Sequence, residues 1–99
     1  MAIWIKIGAR GELIPEAAEG LRLVEKLFNY KNLGDIFITS LRDGTHMAGS
    51  FHPHGRAFDL RWPAGHSTAS VREAIKTALG DDFDVVTHST HCHVEFDPK

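Results

Sequence analysis

The fold of this chain turns on FDVVTHSTHCHVEF, residues 83–96. Phe83 to His88 and Cys92 to Phe96 are rich in β-branched and aromatic residues with few residues between them, which predicts two short strands and a tight link. Side chains alternate along a strand, so His91, His93 and Glu95 share one face while Cys92, Val94 and Phe96 share the other. The second set suits a core. The first sets two imidazoles and a carboxylate side by side on a face that is not ordinary apolar core; the plain alternative to metal binding there is an exposed polar strand face. The same alternation excludes one metal held jointly by His91, Cys92 and His93, because the cysteine points away.

Moving outward, Ser70 with Glu73 three residues on has the form of a capping box ahead of Val71, Ala74, Ile75, Ala78 and Leu79, and Gly80 fits the end of that helix. Arg56 to Trp62 (RAFDLRW) reads as a strand closed by Pro63 and Gly65, and Asp35 to Leu41 (DIFITSL) as a half-buried one. Pro15 opens a helix with Glu16 and Glu19 near its positive end. Its apolar stripe is Ala17, Leu21, Val24, Leu27 and Phe28, interrupted by Gly20, which costs about 1 kcal/mol of helix propensity. Ala2 to Ile7 alternates like a short strand or extended arm. No repeat, low-complexity tract or linker divides the chain. The expectation is one α+β domain over residues 1–99: a small, mainly antiparallel sheet carrying two helices.

The chain has 99 residues and a net charge of −2, with no basic run or stripe, which argues against a nucleic-acid partner. Its single cysteine, Cys92, excludes an internal disulfide and reads as a buried, inert thiol. The opening MAIWIKIGARGEL lacks the pattern of a secretory signal, and no apolar run approaches the ~20 residues of a membrane span. A reducing cytoplasm, no membrane partner and a monomeric state are expected.

Six of the seven histidines lie within or beside two stretches, GSFHPHGRAFD (49–59) and HSTHCHVEFD (88–97). The seventh, His66, sits by Gly65 and reads as a surface residue. Asp59 lies in a strand-forming run between Phe58 and Leu60, where a carboxylate is costly to bury unless a cation or strong donors hold it. Arg56 or Arg61 would serve, and so would a metal. Gly55 permits a sharp turn that could fold His52 back toward Asp59. His52, Asp59 and one histidine of the last strand make a three-ligand set with an open position, the pattern of catalytic zinc, in which a water becomes the nucleophile. Incidental histidines on a metal-free domain are the alternative.

Ser50-Phe51-His52-Pro53-His54-Gly55-Arg56-Ala57-Phe58-Asp59 fits S-x-H-x-x-G-x-A-x-D throughout, and His91-Cys92-His93 supplies a later H-x-H. Together they resemble the zinc D-Ala-D-Ala carboxypeptidases, the phage L-alanyl-D-glutamate endopeptidases and the hedgehog signalling domain, with short phage-encoded members most alike. The resemblance covers residues 36–98. It implies an antiparallel sheet with helices, and a Zn2+ ion bound by His52, Asp59 and His93. It further implies that His91 lines the site to steady an oxyanion or move protons, that Ser50 and His46 support the site, and that Arg42 holds substrate. The implied substrate is the peptide of peptidoglycan, reached once the protein is released to the cell wall.

This sequence departs from that pattern at one point. Relatives place an acidic general base shortly before the last zinc ligand, whereas Thr87, His88, Ser89 and Thr90 stand there. A neutral imidazole can act as base near neutral pH, which makes His88 or His91 the candidate. Otherwise the domain binds zinc without hydrolysis and serves in binding or in assembly of a phage particle.

Overall fold

A computed structural model describes residues 3–5, 13–41 and 55–98. The described elements run β1 (Ile3–Ile5), α1 (Pro15–Lys31), β2 (Ile36–Ser40), β3 (Ala57–Arg61), α2 (Thr68–Leu79), β4 (Phe83–Thr87) and β5 (His91–Phe96). The strands form one sheet in the order β1-β2-β3-β5-β4. It is mixed rather than mainly antiparallel, which corrects the expectation: β1 runs parallel to β2, whereas β2–β3, β3–β5 and β5–β4 are antiparallel. A parallel neighbour needs a crossover between strands, and the helix α1 lies in that connection.

The two helices lie together against one face of the sheet. Val24 and Phe28 of α1 and Val71, Ile75 and Leu79 of α2 join Ile36, Ile38, Phe58, Leu60, Val85, Cys92 and Val94 in one buried cluster. Each large apolar side chain so buried contributes about 1.5–3 kcal/mol before chain entropy is charged against it. The stripe read from the sequence is the face α1 buries, except that Leu21 and Leu27 are only half-buried and Gly20 is fully inside. Gly20 is there for space: a Cβ on it would stand 2.6 Å from Cε2 and 2.7 Å from Cζ of Phe83. The helix then closes through Asn32, whose left-handed backbone (φ 56) lets Leu33 donate back to the Phe28 carbonyl at 2.9 Å.

The start of α2 differs from the sequence reading. The N-cap is Ser67, whose hydroxyl accepts from the Ser70 amide at 3.3 Å, so Ser70 lies inside the first turn and caps nothing. Glu73 pairs with Arg72 instead of reaching back as a capping-box partner. The rule picked the wrong serine because 67 and 70 both precede an apolar run. At the other end Gly80 (φ 82) closes the helix, with Lys76 Nζ donating to the Gly80 and Phe83 carbonyls at 3.3 and 2.7 Å.

Candidate functional site

The face of the sheet opposite the helices carries the polar residues. In the β3–β5 pairing Asp59 stands opposite His93, Arg61 opposite His91 and Ala57 opposite Glu95. Strand alternation therefore sets Asp59, His91, His93 and Glu95 on one face, while Leu60, Cys92 and Val94 point into the core. Ala57 takes little room on that shared face. Gly55 enters β3 with φ 74, in the left-handed region, and its carbonyl accepts from the Ile14 amide at 2.9 Å; the expected return of His52 toward Asp59 lies outside the described residues.

Asp59 is 8% exposed, the one charged or polar residue among the described residues that is buried. Its cation is the imidazole of His93, which donates from Nδ1 to Asp59 Oδ1 at 2.8 Å and from Nε2 to Glu95 Oε1 at 3.0 Å. Ionised carboxylates only accept, so with both acids ionised this geometry suits a ring that carries two protons and a positive charge. Burial works against that charge, yet the hydrogen bond and charge of Asp59, together with Glu95, outweigh it, and His93 titrates above its ordinary range. Arg61, considered from the sequence as a partner for Asp59, lies over the Phe37 ring instead, 4.9 Å from its centroid.

His91 stands beside this pair, with Nε2 3.5 Å from Asp59 Oδ2 and Nδ1 sharing a 3.1 Å hydrogen bond with Thr90 Oγ1. His88 stacks on His91 with ring centroids 4.6 Å apart at 17°, and meets His93 edge-on at 6.2 Å. The Trp62 indole fixes the turn by donating to the His88 carbonyl at 2.8 Å. Cys92, on the reverse side of the same strand, is fully buried. Burial, with the charge of Asp59, pushes its thiol up to about 12.

The structure thus gathers four of the residues that sequence reasoning weighed, Asp59, His88, His91 and His93. His52, Arg42, Ser50 and His46 lie outside the described residues. Among the described residues no three His, Cys, Asp or Glu side chains surround a common point as a metal shell would. The chemistry of the donors nevertheless suits a divalent ion of the zinc type, which takes imidazole nitrogen and carboxylate oxygen. Two carboxylates converging on one imidazole call for a positive charge, and a proton on His93 and a bound metal are alternative ways to supply it. Glu95 is the residue whose part in the cluster went unassigned; its place two residues beyond His93 was the available signal. The bond from Trp62 to the His88 carbonyl has no sequence signature.

No known family model matches the chain, and no curated protein matches it in sequence. Among the described residues, no helix is long and apolar enough to cross a membrane.

Proposed function

We propose that this protein is a zinc-dependent peptidase acting on the stem peptide of peptidoglycan, with a hedgehog-like arrangement of sheet and helices. The observation that carries the reading is the buried Asp59 set directly opposite His93, with His91 beside both. Asp59 and His93 would hold the ion together with His52, which the S-x-H-x-x-G-x-A-x-D motif supplies. When bound, zinc polarises a peptide carbonyl and lowers the pKa of a water toward neutrality. His91, steadied by Thr90 and stacked on His88, is placed to take and return a proton. Glu95 orients His93 through the 3.0 Å contact and adds negative charge that favours a cation. Arg42 is assigned the substrate carboxylate, and Ser50 and His46 the support of the first motif.

The test is to load the purified protein with zinc and measure new amino groups released from muropeptides between about pH 5 and 9. Bound metal is assayed in parallel in His52→Ala, Asp59→Ala and His93→Ala. Release by the wild type and loss of zinc in the variants is the expected result. Zinc retained in all three contradicts the ligand assignment. Carboxypeptidase and endopeptidase action are separated by whether the released group is a terminal D-alanine.

A second reading is favoured by the absence of an acid in Thr87–Thr90: a zinc module without hydrolysis, used for binding or assembly. It predicts bound zinc, a melting temperature that falls on chelation and no amino-group release at any pH. Under it, Thr90→Asp is the substitution chosen to introduce activity.

A further inference from the structure

Strand β4 is the last strand on its side of the sheet, and no described strand pairs with its outer edge. The amide of His88 donates to the His91 carbonyl at 3.0 Å, and that of Asp97 to the Asp82 carbonyl at 2.8 Å. Antiparallel pairing alternates, so Asp82, Asp84, Val86 and His88 turn their amides and carbonyls toward β5. Those of Phe83, Val85 and Thr87 turn outward. Such an edge is a template for a further strand, and proteins blunt it with charges, proline or bulges. Phe83–Thr87 reads FDVVT, with high strand propensity, no proline, no lysine and one charge, Asp84. Its register with β5 is unbroken by a bulge. The strand itself carries little protection.

The protection comes from α2. Arg72 donates from Nε to the Val85 carbonyl at 3.1 Å, and Lys76 donates from Nζ to the Phe83 carbonyl at 2.7 Å. The two cations stand four residues apart, hence on one flank of the helix, which Val71, Ile75 and Leu79 anchor on the sheet. Two of the three outward carbonyls of β4 are thus occupied from the neighbouring layer.

We infer that Arg72 and Lys76 close the β4 edge to strand addition, and that the partner they keep off is a second copy of this chain. A second β4 laid antiparallel about Val85 would set Val85 opposite its own copy, Phe83 opposite Thr87 and Asp84 opposite Val86. No like charges meet in that register, so nothing in the strand forbids it. Val86, on the face that carries the cluster, is 41% exposed, apolar surface that such a neighbour would cover. The new ladder would need the carbonyls of Phe83 and Val85 as acceptors, and both are held by the two cations. The edges join only after Arg72 and Lys76 have left them on each copy. This inference is independent of the peptidase reading.

The experiment is sedimentation equilibrium of the full chain from micromolar to millimolar concentration, with amide exchange at Val85 and Thr87 followed by NMR. Wild type is expected to stay monomeric, with both amides exchanging as exposed ones do. Arg72→Met combined with Lys76→Met keeps the apolar stems and removes the donors. Its association constant should rise by about a hundredfold or more, the scale of two charge-assisted bonds, and Val85 and Thr87 should gain protection in step with the dimer. Each single variant should show about a tenfold rise, which decides the matter if the double variant fails to fold. Adding Thr87→Pro removes an outward amide at an exposed position where an edge strand tolerates proline, and should return the protein to monomer. Folded variants that stay monomeric, or association that neither protects those amides nor responds to the proline, overturn the inference. So does a wild-type dimer joined through β4.

Discussion

Replacing Asp59 with asparagine preserves the shape of the side chain and removes the charge on which His93 rests. The 2.8 Å bond between them joins two groups with side chains 14% and 12% exposed, so solvent screens it little. A hydrogen bond to a charged group contributes about 1.5–3 kcal/mol and a neutral one about 1, which makes the expected loss about 1–2 kcal/mol in metal-free protein. His93 has its folded-state pKa raised above the ordinary value of 6.5. Its contribution is therefore fully present below about pH 6.5 and is lost as pH rises through the folded-state value. At about pH 5.5, still above the titration of ordinary carboxylates, Asp59→Asn should lower the melting temperature by about 5–15 °C in a domain of this size. At about pH 8.5 the difference should be smaller, because the folded-state charge of His93 is lost as pH rises. Thermal unfolding followed by circular dichroism in the presence of chelator measures both, and proton NMR of the imidazole follows His93 directly. Equal destabilisation at both pH values, or a wild-type His93 titrating below 6.5, would refute the reasoning.

Gly20→Ala gains about 1 kcal/mol of helix propensity but drives a methyl against the buried Phe83 ring, itself 5.3 Å from Phe96 between centroids. Overpacking of this kind costs about 1–3 kcal/mol, so chemical denaturation should show a net loss, and a more stable variant would mean the ring moves freely. Ser67→Ala removes the cap of α2 and should cost about 1 kcal/mol, whereas Ser70→Ala should cost much less; the reverse order would restore Ser70 as the cap. Cys92, fully buried with its thiol pushed up to about 12, should resist aromatic disulfide reagents at pH 8 until the protein is unfolded. A rapid stoichiometric reaction in native buffer would show that β5 opens.

The strands and helices were legible because their residues follow simple periods. The alternation of His91 through Phe96 separated core from site without any knowledge of neighbouring strands. Pairing was harder to read. Nothing in Ile3–Ile5 says that it lies parallel to Ile36–Ile38, because that depends on how the chain returns through α1. The serine caps were ambiguous for a local reason, two hydroxyls three residues apart before the same apolar run. At the site, Asp59 was conspicuous as a lone charge in an apolar strand. Its partner was not, since arginines at 56 and 61 flank it in sequence while His93 reaches it only through the β3–β5 register. The same register gives Glu95 its place opposite Ala57 and sets Arg61 opposite His91.

Strand β5 serves two environments with one set of residues, core on one side and chemistry on the other. A slip of one residue in its pairing would exchange the two, pressing His91, His93 and Glu95 against the helices and exposing Cys92, Val94 and Phe96. Such a slipped hairpin forfeits its apolar contacts at the same moment as its charged cluster. The register that buries Cys92 and Val94 is the one that sets His93 opposite Asp59. A probe of the His93 environment consequently reports on strand registration as directly as it reports on chemistry.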